Sequence, residues 1–401
     1  MSFTRRRWMA ATGAAAAAAA LGSKPLSGAA PVPALPPALK PDVFRDRQAR
    51  LRAAAKSAGF DALLVTPSTN LAYAANLSMG RSERLTAILL FSDGPSVLVT
   101  PFFEADNHRR DAVVDDVLTW KEDEDPIALA VKAIGRAKTV GIEGSTSYAT
   151  ASRLLSAGPL EGRDATAVFD GLRMIKSEDE QTFIREAARR TNLAIEATHR
   201  KLSRGLTESE VANLLEQEFQ SLGVHGDGLV QFGPSSALPH GGPGDRKLAA
   251  GDAVLIDAGC RVRGYTSDIT RTVSFGPASD ELRKVYGVVN RAQIAGIEAV
   301  RAGAAGEDVD RVARKVIEDA GYGAFFTHRL GHGLGMDGHE PPYLVHGNTA
   351  PLVAGNTVTV EPGIYLPGKF GVRIEDDYSA RSASLPASLS TRPGDLAIIG
   401  S

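Results

Sequence analysis

The chain has 401 residues, of which 43% are hydrophobic and 23% charged, with a formal net charge of -2. That size accommodates two cores at the usual ~150 residues per domain, and the composition excludes both wholesale disorder and a polytopic membrane protein. A near-neutral charge, with no run of Lys and Arg long enough to track phosphates, gives no reason for a nucleic-acid partner. The single cysteine, Cys260, excludes an internal disulfide.

At the N-terminus, Thr4-Arg5-Arg6-Arg7-Trp8-Met9 precedes an alanine-dominated apolar run from Ala10 to Leu21, a pattern that resembles a twin-arginine export signal. The run is short against the ~20 residues of a membrane span, and Ser27-Gly28-Ala29 offers a cleavage point. Residues 1–29 therefore read as a removable signal, predicting a periplasmic or secreted protein with no stable membrane association after cleavage. Residues 30–41 carry Pro31, Pro33, Pro36, Pro37 and Pro41 and read as a semi-rigid linker, with order expected from Asp42.

From 42 to 173 a helical pattern to Ser57 gives way to the strand-like Ala62-Leu63-Leu64-Val65-Thr66. Apolar runs at 85–91, 96–100 and 139–142 then alternate with helical patterns at 127–136 and 148–156. That alternation predicts an α/β domain, structural or oligomerising, that walls the active site. The second half, 174–401, opens on two capping boxes, Ser177 with Glu180 and Thr207 with Glu210, each heading a helix. Further helices are predicted over 280–301 and 307–320. Strand-like segments rich in Gly and Thr lie between and after these helix pairs, which indicates an α+β domain whose strands pair by hairpins.

Those strand segments hold the residues that carry chemistry. Ala253-Val254-Leu255-Ile256-Asp257 is an apolar strand ending on a carboxylate, and Asp268 follows in Tyr265-Thr266-Ser267-Asp268-Ile269-Thr270. Their midpoint falls between Val262 and Arg263, beside Gly264, so a hairpin turning there sets the aspartates opposite one another, with Cβ atoms ~4.5–5.5 Å apart. Glu361, after Thr357-Val358-Thr359-Val360, and Glu375, after Val372-Arg373-Ile374, repeat the arrangement about Gly368. Carboxylates opposed across a sheet destabilise it unless positive charge lies between them. Two divalent cations ~3.5–4 Å apart would supply that charge, and a water bridging them would be acidic enough to act as a nucleophile near neutral pH. Gly331-His332-Gly333-Leu334-Gly335 adds a nitrogen ligand framed by glycines. Asp257, Asp268, His332, Glu361 and Glu375 form a mainly hard-oxygen set, which favours Mn(II), with Co(II), Zn(II) and Fe(II) as alternatives.

This constellation resembles the pita-bread metallopeptidases, the family of methionine aminopeptidase, Xaa-Pro aminopeptidase and prolidase, from about Leu172 to the C-terminus. The resemblance rests on Asp257-Ala258-Gly259 with Gly264 to Thr272, on the histidine loop, and on Glu361-Pro362-Gly363-Ile364-Tyr365 with Gly371 to Asp376. It implies a pita-bread (creatinase/aminopeptidase) catalytic domain preceded by a creatinase-like N-terminal domain, a peptide substrate, and a homodimer or higher homo-oligomer. Pro239-His240-Gly241, His328 ahead of His332, and His339-Glu340-Pro341-Pro342-Tyr343 point to the proline-specific members. By the same resemblance, His240 and His339 contact the scissile peptide or its oxyanion, Glu361 is the general base, and Arg373 belongs to the substrate pocket. His328 is a substrate contact or a brace for the His332 loop, and Tyr265 closes the site or packs. The implied activity is hydrolysis of an Xaa-Pro bond, in dipeptides or at peptide N-termini. A methionine-aminopeptidase-like enzyme, a creatinase-like amidinohydrolase and a non-catalytic scaffold remain as alternatives. Cys260 is expected in the core, because soft thiolate suits an oxygen-rich site poorly.

Overall fold

The computed structural model describes residues 34–239, 241–382 and 385–400. The expected export signal, its cleavage point and His240 lie outside the described residues. No helix among those described is long and apolar enough to cross a membrane.

The N-terminal half is built on six strands: β1 (Ala62–Val65), β2 (Ala87–Phe91), β3 (Ser96–Pro101), β4 (Asp116–Trp120), β5 (Thr139–Ile142) and β6 (Glu161–Asp164). They order as β4-β3-β2-β1-β5-β6 in one mixed sheet. The central strand β1 is buried at every position, as its unbroken Ala-Leu-Leu-Val requires of a strand covered on both faces. Helices α1 (Pro41–Ser57), α2 (Thr69–Ala75), α3 (Ala105–Asp111), α4 (Pro126–Ile134), α5 (Tyr148–Ser156) and α6 (Thr166–Arg173) complete this α/β unit.

The second half contains two helix pairs, α7 (Glu178–Lys201) with α8 (Glu208–Ser221), and α9 (Asp280–Ala299) with α10 (Gly306–Asp319). Both predicted capping boxes form, with Glu180 returning to the Ser177 backbone and Glu210 to that of Thr207. The α7/α8 pair shares a hydrophobic core with β7 (Gly226–Phe232), β8 (Ala253–Val262), β9 (Tyr265–Thr266) and β10 (Ile269–Phe275). The α9/α10 pair shares another with β12 (Glu340–Leu344), β13 (Thr357–Val360), β14 (Gly363–Leu366), β15 (Phe370–Arg373) and β16 (Asp376–Ser379), to which Leu330 contributes just before β11 (Gly331–Gly333). Each core thus belongs to a pair of helices and the carboxylate hairpin that follows it. This α+β arrangement is the pita-bread fold behind a creatinase-type N-terminal domain.

The first hairpin departs from the predicted register. Its turn residues Arg263 and Gly264 both have positive φ, 53° and 86°, as a two-residue type I′ turn demands. Asp257 therefore pairs with Thr270 rather than with Asp268. The slip is two residues, so with a side-chain period of two both aspartates keep to one face as diagonal neighbours. The glutamate hairpin keeps its predicted centre at Gly368, and β13–β16 and β14–β15 lie in one continuous register. Glu361 and Glu375 face each other at the single break in that ladder. There the two strands splay, and the backbone N–H of Glu361 reaches Leu330 O at 2.8 Å while that of Glu375 reaches Thr270 O at 3.2 Å.

The segment expected to be a semi-rigid linker is docked at its end. Leu35 and Leu39 pack against the core of the α7/α8 half, and Arg263 Nε donates to Pro36 O at 2.8 Å. Order therefore begins before Asp42, because the two leucines spaced through the prolines find an apolar surface to bury.

Candidate functional site

Strand splay and turn geometry bring the five expected ligands to one place. Asp257, Asp268, His332, Glu361 and Glu375 line a single cleft of about 550 Å³, together with Pro239, His328, Arg329, His339 and Arg373. One potential ligand atom from each of Asp257, Asp268 and Glu375 lies within 4.8 Å of the others, and the same holds for His332, Glu361 and Glu375. These two groups share Glu375, the arrangement two adjacent cations with a common carboxylate would need, and a third such group joins Asp268 and His332 to His339. His332 is held by backbone contacts: its N–H donates to Thr359 Oγ1 at 3.1 Å, and its Nδ1 lies 3.0 Å from Gly333 O. That leaves Nε2 facing Glu361 Oε1 at 3.3 Å and Asp268 Oδ2 at 3.7 Å.

The framing glycines have separate steric causes. A Cβ at Gly331 would sit 2.1 Å from Thr359 O, one at Gly333 2.4 Å from Glu340 O, and one at Gly335 2.6 Å from Lys176 Cε. At Gly331 and Gly333 neighbouring backbone passes too close for a side chain, and at Gly335 the side chains of Lys176 and Glu340 fill the space.

The electrostatics show why this cluster wants a cation. Burial, reinforced by the other carboxylates, pushes Asp268 and Glu375 well above the usual carboxylate range and Glu361 up to about 8. Burial, with His339 alongside, holds His332 down to about 3, so its imidazole is neutral and can offer a lone pair. Buried like charges that would otherwise have to take up protons are stabilised by a bound cation instead. The donor set, the shared Glu375 and the neutral imidazole all fit a pair of divalent metal ions.

The remaining expected residues are placed unequally. His339 is exposed to the cleft, with its ring centroid 3.8 Å from that of His332 and its Nδ1 3.1 Å from Arg329 Nη2. His328 has protein partners on both ring nitrogens, Arg329 O at 2.7 Å and Tyr365 Oη at 2.8 Å, which is the geometry of a brace. Arg373, expected in the substrate pocket, lines the cleft but spends its donors on the protein. It reaches Asp257 Oδ2 at 2.6 Å, Tyr365 Oη at 2.8 Å and Thr270 Oγ1 at 3.0 Å, and so orients the expected ligand Asp257. Tyr265 is outside the cleft. Its buried hydroxyl donates to Glu180 Oε1 and accepts from Arg47 Nη2, both at 2.7 Å, joining the two domains. The β9 register turns its ring toward α7, where it meets Phe183. Cys260 is buried, with Sγ 3.3 Å from Ala187 O, as a core residue.

Sequence reasoning missed several supports. Tyr365 ties Arg373 to His328, and its only sequence signal is its place in the same short motif as Glu361. Asp377 is fully buried, accepts from the Asp268 N–H at 3.3 Å and has its carboxyl raised well above the ordinary range by burial. Glu208, next to the Thr207 cap, accepts from Phe232 N at 2.7 Å and Gly244 N at 2.9 Å, which fastens both ends of the loop that carries Pro239 to the rim. No spacing rule in the sequence connects it to that loop.

Comparison with known proteins agrees with this geometry. Residues 182–381 match metallopeptidase family M24, and residues 47–175 match the creatinase/prolidase N-terminal domain. An uncharacterized peptidase of Staphylococcus aureus strain USA300 is 38% identical over 322 residues, covering 79% of this chain and 91% of that protein. Among solved structures, dipeptidase PepE from Mycobacterium ulcerans superposes with a TM-score of 0.85 at 34% identity, covering 91% of this chain and all of the other. An Xaa-Pro dipeptidase from Bacillus anthracis gives 0.83 at 32% identity, covering 89% of this chain and 100% of that one. An X-Pro aminopeptidase from Thermotoga maritima gives 0.78 at 32% identity, covering 86% and 100%.

Proposed function

The chain belongs to the metallopeptidase family M24, and from that premise we propose that it is a dinuclear metal-dependent exopeptidase that hydrolyses Xaa-Pro bonds, in dipeptides or at peptide N-termini. The observation that carries this reading is the two ligand groups sharing Glu375, in a cleft that also presents His339. Proline preference is supported by the likeness to the Xaa-Pro dipeptidase of Bacillus anthracis and the X-Pro aminopeptidase of Thermotoga maritima.

When bound, two divalent ions, Mn(II) being the best match to the hard-oxygen donors, would polarise the scissile carbonyl and acidify the attacking water. Asp257, Asp268, His332, Glu361 and Glu375 would hold them. Glu361, whose carboxylate lines the cleft, takes the proton of the attacking water and passes it to the departing nitrogen. That transfer matters for proline, whose nitrogen is tertiary in the peptide and leaves only once protonated. His339, open to the cleft, donates to the developing oxyanion. Arg373 holds Asp257 in place through the reaction, and Tyr365 holds Arg373 and His328 together.

The test is hydrolysis by metal-depleted protein reloaded separately with Mn(II), Co(II), Zn(II) or Fe(II). Its substrates are peptides matched except for Pro or Ala at the second position. Activity that needs metal, favours Pro and disappears in Glu361→Ala supports the reading. Equal cleavage of both series removes the proline preference, and wild-type protein that binds no metal removes the mechanism. A length series from dipeptide to pentapeptide separates dipeptidase from aminopeptidase. We also propose export through the twin-arginine pathway and a homodimeric or larger assembly, the second checked by light scattering on the purified protein.

A further inference from the structure

Behind the cleft, a buried ion cluster joins the start of the catalytic domain to the turn that carries His339. Glu340, the next residue, is almost wholly buried, and each of its oxygens meets a buried cation. Arg173 Nη2 donates to Oε2 at 2.5 Å and Lys176 Nζ to Oε1 at 2.6 Å. Arg173 is the last residue of α6 and Lys176 lies in the connection to α7, at 7% and 1% side-chain exposure. Arg173 extends the cluster to Asp337 Oδ2 at 2.6 Å and, within its own N-terminal domain, to Asn70 Oδ1 at 2.9 Å. Thr69 of the same domain donates to Asp337 Oδ1 at 2.6 Å. The turn from Asp337 to Glu340 is therefore gripped at both ends, and His339 is its exposed member. Lys176 is in turn fixed, because its N–H donates to Gly355 O at 2.9 Å and its carbonyl accepts from Gln181 Nε2 at 3.1 Å.

A fully buried lysine is costly, since removal from water favours its neutral form. Adjacent apolar side chains would stabilise the domain junction at lower cost. A cation on each oxygen of one carboxylate, however, fixes that carboxylate's position and rotation, which an apolar contact does not. We propose that Arg173 and Lys176 are positioning residues: by clamping Glu340 they hold His339 in its place over His332 and make that placement depend on the seating of the N-terminal domain. The inference rests on the peptidase reading, because turnover is one of its readouts.

The experiment is a double-mutant cycle on metal-loaded protein, with Glu340→Gln and His339→Ala singly and together. A residue that acts through His339 loses its effect once His339 is gone. Glu340→Gln alone lowers kcat by ~10- to 100-fold, as small displacements of a catalytic group do, with KM changed by less than about threefold and metal content unchanged. In the His339→Ala background the same substitution costs less than about threefold. Losses that multiply, or a Glu340→Gln enzyme with wild-type kcat, overturn the proposal. Should Glu340→Gln not fold, Lys176→Met and Arg173→Lys carry the same cycle. Imidazole NMR of the metal-free protein supplies the second readout, with the His339 signal assigned by its loss in His339→Ala. That signal shifts in Lys176→Met if the clamp positions the ring and stays in place if it does not. A wild-type protein that cleaves no Xaa-Pro peptide defeats the functional reading, and the NMR result then decides the clamp by itself.

Discussion

Glu361 shows how far one side chain can be moved from its solution chemistry by its neighbours. An exposed glutamate ionises near 4.5, whereas burial beside other carboxylates lifts this one to about 8 in the metal-free protein. Between those values the folded state holds a proton that the unfolded chain has released. The contribution to stability is therefore complete below about 4.5 and is lost as pH rises through about 8. Asp268 and Glu375 are shifted in the same direction by the same causes. A divalent cation replaces those protons and removes the penalty, so metal binding should release protons and stabilise more at high pH. Thermal unfolding of metal-free and Mn(II)-loaded protein at pH 6 and pH 8.5 checks this. The metal-free Tm should fall between the two, and the gain on adding Mn(II) should be larger at pH 8.5. A gain as large or larger at pH 6 would mean that these carboxylates already ionise freely without metal.

At the scale of single elements, the glycine-framed strand β11 explains why a histidine ligand needs such surroundings. Gly335 lies where a Cβ would stand 2.6 Å from Lys176 Cε and 2.7 Å from Glu340 Oε1, whereas a Cβ at Gly338 meets nothing within 4 Å. Gly335→Ala should cost roughly 1–3 kcal/mol through overpacking, and Gly338→Ala should stay within ~0.5 kcal/mol, read as shifts in denaturant midpoint. Equal midpoints for the two variants would mean that Lys176 and Glu340 have room to move. Glycine framing was legible in the sequence as a demand for close approach, but what approaches was not, because Lys176 and Glu340 come from other parts of the chain. The hairpins divide in the same way. The glutamate pair could be placed about Gly368 because a continuous ladder preserves its register over both segments. The aspartate pair could not, because the choice of Arg263-Gly264 as turn residues moves the register by two. Side-chain period rescued the conclusion, since a shift by two leaves both aspartates on one face. The partners of Arg373 and Tyr265 were not legible for a further reason: Asp257, Thr270, Arg47 and Glu180 are set by how the sheets and domains meet, and sequence spacing carries no trace of that.

For the molecule as a whole, the docked segment 35–40 sets a bound on how the N-terminus can be processed. Leu35 and Leu39 cover part of the α7/α8 core, and Pro36 O receives Arg263, one of the two residues at the tip of the aspartate hairpin. Cleavage after Ala29, as the export reading has it, leaves this strap intact and presents a folded protein of residues 30–401. Cleavage beyond Leu39 would expose apolar core and free the hairpin tip. At ~25 cal/mol per Å² of apolar surface, two half-buried leucines contribute roughly 1–2 kcal/mol. A chain beginning at Pro41 should therefore melt a few degrees below one beginning at Ala30. It should also bind Mn(II) more weakly if the loosened tip reaches Asp257 and Asp268. Mass spectrometry of the native protein supplies the companion measurement: its first residue should lie upstream of Leu35. A mature protein starting at Met1 or Ser2 would end the export reading while leaving the strap untouched. Equal melting of the two shortened chains would show instead that the leucines rest on the core without stabilising it.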